Sequence, residues 1–309
     1  MNISLQNLME IQGGFSKKKI FRKFDKNLNK IVIDFSENKK DFYNFLDIYE
    51  ILKKINISIP QIYEVHMKNK LIVMEDFGDD TFDKLFNEKE PYYLLKIAVD
   101  SLIIIQNSLI ANDLKTLEKY SYSILKKEIS EFVDYFIPYI KISNFPKDEF
   151  YGCWENIYKS QNFEFSGFAH KDFEFINLIY LSKNNQHHKC GIIDFQSAFT
   201  GFIGWDLFSI LENPRIYFTR KYNEDLIKYF YKNVTINVEF NSFRNQYYLL
   251  NLGRQTRLLG RWAKLYNYEN NNKYIDYISN TQKRIIVCLK NIQSKKLKSI
   301  YEKVVIINE

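Results

Sequence analysis

Phe168–Leu181 reads F-A-H-K-D-F-E-F-I-N-L-I-Y-L, and Cys190–Leu211 reads C-G-I-I-D-F-Q-S-A-F-T-G-F-I-G-W-D-L-F-S-I-L. Against this apolar background stand His170, Asp172, Asn177, Asp194 and Asp206. The runs Asn177–Leu181 and Cys190–Asp194 have the length and β-branched composition of short buried strands. The polar connection Ser182–Lys189 predicts that they pair as a hairpin. Such a hairpin brings Asn177 and Asp194 to the same end, where two oxygen donors can serve one cation.

The pattern H-x-D-x-x-x-x-N, followed by an apolar strand ending in Asp, resembles the way protein-kinase-like folds build a phosphoryl-transfer site. Within those folds, Ile192–Leu207 resembles the aminoglycoside phosphotransferase and choline kinase superfamily. Protein kinases carry D-F-G where this chain has Asp194-Phe195-Gln196, and G-x-x-x-W-D-L looks like that superfamily's G-P-x-x-x-D-L element. The D-F-Q-x-A form is most similar to the bacterial anomeric kinases of N-acetylmuramate and N-acetylglucosamine. The resemblance runs from about Gly13 to about Tyr277 and is strongest from Phe168 to Leu211.

The resemblance implies an α+β, two-lobed protein-kinase-like fold. Residues 1–75 would form a small β-rich nucleotide-binding lobe, and residues 76–309 a large helical lobe carrying the catalytic loop 168–211. It implies Asp172 as the catalytic base, Asn177 and Asp194 as ligands of Mg²⁺, and His170 and Asp206 as braces of the catalytic loop. ATP would be the phosphoryl donor.

Upstream, Gly13-Gly14-Phe15-Ser16 lies between two strand-like runs, and backbone N–H groups around Gly13, Gly14 and Ser16 are candidates to cap phosphates. The strand Lys30–Phe35 departs from the kinase pattern: Ile31, Val32 and Ile33 include no lysine to reach the phosphates. Lys30, or Lys19, Arg22 or Lys23 on the preceding strand, are the candidate substitutes, and the short run Lys17–Lys19 reads as a solvated turn. Asp41–Ile55 has helical periodicity, with Glu50 its only glutamate. Leu71–Asp80 (L-I-V-M-E-D-F-G-D-D) resembles the hinge between lobes, which implies adenine recognition by backbone near Glu75–Phe77, with Met74 beside the base. The acidic side chains of Glu75, Asp76, Asp79 and Asp80 read as caps or solvated charges rather than catalysts.

From Pro91 the period is helical, over Tyr92–Ser108, Thr116–Ile142, Asp148–Ser160, Glu224–Asn233, Phe240–Tyr266 and Lys273–Leu297. Arg254, Arg257 and Arg261 share a helix face. Arg254 and Arg257 are the candidate acceptor-binding residues, suited to a carboxylate or a developing phosphate charge.

Composition narrows the class. A net charge of +7 over 309 residues is mild, and no nucleic-acid module is present, so nucleic acid is not an expected partner. The longest uncharged apolar run, Ser101–Asn112, is too short to cross a bilayer, so no membrane partner is expected. Cys153, Cys190 and Cys288 are scattered and odd in number, which suits a reducing, cytoplasmic setting. The expected partner is a small-molecule acceptor, a sugar above all. The alternatives are an aminoglycoside or choline-type phosphotransferase, and a nucleotide-binding scaffold without turnover. Oligomeric state has no signature in the sequence.

Overall fold

Lys19–Lys23 (β2) and Lys30–Asp34 (β3) are short runs rich in isoleucine, valine and phenylalanine, and they pair antiparallel in register Lys19↔Asp34 to Lys23↔Lys30. The computed structural model describes residues 8–11, 18–24, 29–161, 163, 165–216 and 219–305. With Met9–Ile11 (β1), Ile62–His66 (β4) and Leu71–Glu75 (β5), these strands form an antiparallel sheet of order β1-β2-β3-β5-β4. The central strands are covered: Val32 and Ile72 are fully buried.

Lys39–Leu52 (α1) starts where the Asn38 side chain accepts the Asp41 N–H at 3.2 Å, a side-chain N-cap. Its apolar stripe Phe42, Phe45 and Ile48 is buried, and Phe35 at the end of β3 packs edge-on or tilted against Phe42 and Phe45. Phe82–Leu85 (α2), Pro91–Ser108 (α3) and Ala111–Leu114 (α4) follow. Pro91 at the helix start needs no backbone donor there, and Glu90 accepts the N–H groups of Tyr92 and Tyr93 at 3.0 and 2.7 Å.

The next helices are Tyr122–Glu131 (α5), Ile137–Tyr139 (α6) and Lys147–Ser160 (α7). The continuous helix expected over Thr116–Ile142 begins only at Tyr122, after the Ser121 N-cap, and is interrupted by a π-helical turn, Phe132–Phe136. Pro138 supplies the reason: it has no N–H for the helical ladder, and the turn before it widens so that the Ile137 N–H reaches the Phe132 carbonyl. Gly167–Ala169 (β6), Leu178–Tyr180 (β7), Cys190–Ile192 (β8) and Phe199–Gly201 (β9) are short strands, and β7 pairs antiparallel with β8 as the composition predicted. The remaining helices are Trp205–Leu211 (α8), Arg220–Asn233 (α9), Phe240–Glu269 (α10), Lys273–Asn291 (α11) and Lys295–Glu302 (α12). The helix expected over Lys273–Leu297 is two helices, because the chain turns extended at Ile292 and restarts at Ser294, whose hydroxyl accepts the Leu297 N–H at 3.3 Å.

The chain divides into two compact units. The first holds Met1–Leu114 and His170–Ala198, that is, the five-stranded sheet, α1 to α4 and the β7–β8 hairpin. The second holds Lys115–Ala169 and Phe199–Glu309, with α5 to α12. In the second unit β6 and β9 pair in register Ala169↔Phe199, so the two ends of the intervening segment are held side by side. The second unit's interior is aromatic, with Phe132, Phe150 and Tyr301 in one cluster and Tyr120, Phe199 and Trp205 in another.

Candidate active site

Asn177 and Asp194 do converge. Leu178 pairs with Ile192, and the Ile193 N–H donates to the Asn177 carbonyl at 3.1 Å, so each polar residue flanks its strand at the same end of the hairpin. The loop before β7 is pinned to itself. The Asn177 side-chain amide donates to the Asp172 carbonyl at 2.8 Å, and the Glu174 N–H donates to the same carbonyl at 2.9 Å. Spending its N–H₂ on that bond leaves the amide oxygen as the side-chain atom of Asn177 that could serve a cation.

His170 is buried, and its Nε2 donates to the Ile193 carbonyl at 3.1 Å, tying the start of the loop to the residue before Asp194. Burial pushes the imidazole down to about 4, against the opposing pull of the Asp172 carboxylate, so the ring is neutral at physiological pH. Lys171 and Asp194 both have left-handed backbone, φ +77° and +69°. Non-glycine residues adopt that conformation at a cost of order 1–3 kcal/mol, which the surroundings must offset. At Asp194 the offset is visible: the next residue, Phe195, is fully buried and stacks on Phe45 of α1 at 4.6 Å between ring centroids.

Sequence reasoning missed one cation. Lys18, only 8% exposed, forms an ion pair with Asp194 and lies 3.4 Å from Oε1 of Gln196, whose amide in turn donates to Asp194 at 3.0 Å. Burial lowers its ammonium to about 8, opposed by the Asp41 and Asp172 carboxylates. The run Lys17–Lys19 therefore does not read as a solvated turn at its middle residue. The signal was the alternation of β2: extended back by one residue, it puts Lys18 on the face of Ile20 and Arg22. The other candidates are engaged elsewhere. Arg22 binds Asp76 at 2.6 Å and Asp79 at 2.7 Å, Lys19 is exposed and 3.8 Å from Glu37, and Lys30 lies over the Tyr63 ring at 5.4 Å. Asp76, expected to be a cap or solvated charge, is instead a buried partner of Arg22 and also accepts the Gly78 N–H at 2.9 Å. Glu50 pairs with its helix neighbour Lys53 at 2.6 Å.

Met74 is buried on β5, and the Glu75 N–H donates to the Gln61 carbonyl at 2.8 Å, so that donor is already used within the sheet edge. Phe77 packs over Gly191, where an added Cβ would fall 2.7 Å from its ring. Gly78 has φ +86°, the turn by which the chain leaves the strand. Gly13, Gly14 and Ser16 lie outside the described residues.

Asp206, Arg254 and Arg257 belong to the second unit. Asp206 is buried in the first turn of α8. Arg254 is buried on α10, Arg257 lies 4.0 Å from Glu128, and Arg261 makes a two-pronged contact with Glu131 at 2.8 and 2.6 Å. Two of the three arginines on this face are thus matched to carboxylates of α5.

Among the described residues no three His, Cys, Asp or Glu side chains could cage a metal unaided. Asn177 and Asp194 are hard oxygen donors, which fits Mg²⁺, an ion that fills its octahedron with water and phosphate oxygens. No helix among the described residues is long and apolar enough to cross a membrane.

This arrangement is the kinase-like fold. Solved structures that share it include an ADP-bound aminoglycoside phosphotransferase, APH(2'')-Ib, with a TM-score of 0.56 and 13% identity over 96% of this chain and 94% of that one. Another is the choline kinase LicA of Streptococcus pneumoniae, with a TM-score of 0.59 and 13% identity over 92% and 95% of the two chains. The sequence is more specific than the fold. It is 24% identical to the N-acetylmuramate/N-acetylglucosamine kinase of Caulobacter vibrioides over 262 residues, 81% of this chain and 71% of that protein. No protein-family profile matches the chain. It resembles the aminoglycoside phosphotransferase and choline kinase superfamily in fold, and the N-acetylmuramate/N-acetylglucosamine kinases in sequence.

Proposed function

We propose that the protein is an ATP-dependent kinase that phosphorylates a sugar hydroxyl, with the cell-wall amino sugars N-acetylmuramate and N-acetylglucosamine as acceptors. The observation that carries this reading is the end of the β7–β8 hairpin, where the Asn177 amide donates to the Asp172 carbonyl and the Asn177 carbonyl accepts from Ile193, the residue before Asp194, in a chain that resembles sugar kinases over 81% of its length. Three buried, unbridged cysteines agree with a cytoplasmic setting, where ATP is available.

Asp172 takes the proton as the acceptor hydroxyl forms its bond to the γ-phosphorus and the bond to the β–γ bridging oxygen breaks, leaving ADP. Asn177 and Asp194 would hold Mg²⁺, which would supply charge neutralisation on the phosphates. His170, neutral and fixed on the Ile193 carbonyl, keeps the loop in place without exchanging protons. By the same resemblance Asp206 is the bracing carboxylate and Arg254 and Arg257 are the acceptor-side residues, all three within the second unit. Met74, Glu75 and Phe77 serve the adenine. By resemblance the functional lobes are residues 1–75 and 76–309, a boundary distinct from that of the compact units, in which Asp76–Leu114 and His170–Ala198 go with the sheet.

The test is incubation with ATP and Mg²⁺ against a panel of N-acetyl amino sugars, aminoglycosides and choline, reading ADP release and product mass. A phosphorylated N-acetyl amino sugar is expected. Turnover of an aminoglycoside or choline alone would replace the sugar assignment, and bound nucleotide without any turnover would favour a scaffold.

A further inference from the structure

Within the second unit, a cavity of about 200 Å³ lies between the α8–α9 connection and α11. Pro214 and Ile216 line it from the connection, and Arg220 from the first turn of α9. Asn280, Lys283, Arg284 and Val287 line it from α11, at the three- and four-residue steps that share one helix face. No carboxylate is among the residues that line it. We infer that this cavity binds a small carboxylate, either a short organic acid or the acidic arm of a larger molecule. Sites that enclose a whole drug-sized ligand run to roughly 300–1,000 Å³, so this one suits a fragment and not a nucleotide.

The cations are built in. Glu212, fully buried at the end of α8, accepts from Arg220 at 2.6 Å and from Arg284 at 3.4 Å. Arg284, 4% exposed, also donates to the Ile216 carbonyl at 3.3 Å, which ties α11 to the connection. Arg220 reaches Glu224 at 3.2 Å, a carboxylate that Arg244 shares at 3.5 Å. One carboxylate cannot engage every N–H of two guanidiniums, each with five, and the planar fork matches a second carboxylate. Lys283, exposed on the same face, adds a charge that no carboxylate among the described residues pairs with. The lining is therefore net positive, while Pro214, Ile216 and Val287 offer no hydrogen bonds. A dianionic phosphate would lose hydration against those walls without replacement, whereas a monoanion with a small apolar substituent fits both parts. N-acetylmuramate carries such an arm, a lactic acid joined as an ether, and N-acetylglucosamine lacks it. A free acid offers the same chemistry.

The experiment titrates the full chain with D-lactate, N-acetylmuramate, N-acetylglucosamine and inorganic phosphate, followed by ligand-observed NMR. The expected result is carboxylate binding that Lys283→Glu weakens at least ~10-fold and that Lys290→Glu, the same charge change two turns along α11, leaves within about twofold. Arg284→Lys keeps the charge that Glu212 needs but loses the fork, and should weaken binding about threefold or more. N-acetylmuramate bound at least ~10-fold tighter than N-acetylglucosamine, with the gap closed in Lys283→Glu, assigns the arm to a sugar acid. D-lactate bound while the two sugars bind alike assigns a free acid. Neither carboxylate bound, equal losses in Lys283→Glu and Lys290→Glu, or phosphate bound tighter than both carboxylates would overturn the inference. Carboxylate binding of the expected pattern in a protein that phosphorylates no sugar would overturn the kinase reading and leave this site standing.

Discussion

Asp172 carries the reaction's proton in the proposed mechanism, so Asp172→Asn is expected to lower kcat by at least ~10² while nucleotide affinity stays within about twofold. Wild-type turnover in that variant, followed by product mass, would remove Asp172 from the chemistry. His170 gives a prediction of another kind. Its folded-state value is depressed to about 4, while in an unfolded chain an imidazole titrates near 6.5, so below pH 6.5 the unfolded state takes up a proton that the folded state refuses. The stability is therefore fully present above about pH 6.5 and is lost as pH falls toward 4. Between pH 7 and 4.5 wild type should lose about 2–3 kcal/mol more than His170→Asn, measured by urea unfolding at both pH values. Parallel acid dependence in the two proteins would place the imidazole in contact with solvent. The convergence of Asn177 and Asp194 was legible in the sequence because the two residues flank apolar strands joined by a short polar connection. Lys18 was not read, because it sits in a run of three lysines where only the alternation of β2 sets it apart, and its partner Asp194 lies 176 residues away.

Among the elements, α10 shows how packing can invert a propensity. A glycine inside a helix costs about 0.5–1 kcal/mol relative to alanine, so propensity alone predicts that Gly260→Ala stabilises. At Gly260, however, a Cβ would lie 2.2 Å from the Glu131 carbonyl carbon and 2.4 Å from the Phe132 nitrogen, both backbone atoms where α5 gives way to the π-helical turn. Neither can rotate aside. Gly260→Ala should therefore destabilise by roughly 1–3 kcal/mol, seen as a lower Tm, and a higher Tm would refute the close approach. Gly253, two turns earlier, would meet the tip of Leu125 at 3.0 Å and the Trp154 ring at an ordinary 3.7 Å, both side chains, and should tolerate alanine better. Apolar periodicity found these helices but not their interruptions. The break at Phe132–Phe136 follows from a proline six residues downstream of its first residue, and the one at Ile292 from a serine cap, both local signals weaker than the 3.6-residue period that runs across them.

The whole molecule is assembled from discontinuous chain. The first unit takes Phe195 onto Phe45 and the Ile192 N–H onto the Ser58 carbonyl at 2.9 Å, so residues 1–114 alone lack part of their own core. A fragment ending at Leu114 is expected to melt without a cooperative transition, read by near-ultraviolet circular dichroism, and a sharp transition would mean that the sheet and α1 suffice. The β6–β9 pairing keeps the ends of the inserted segment together, which limits the entropy that segment must lose when it joins the sheet-bearing unit. There is a consequence for biosynthesis. The ribosome finishes α4 and must then make the 55 residues from Lys115 to Ala169 before the segment His170–Ala198 begins to appear. At 5–20 residues per second that delay is about 3 to 11 s. During it the Phe45 surface has no Phe195 to cover it, so the nascent chain offers an apolar face to chaperones for seconds on every round of translation.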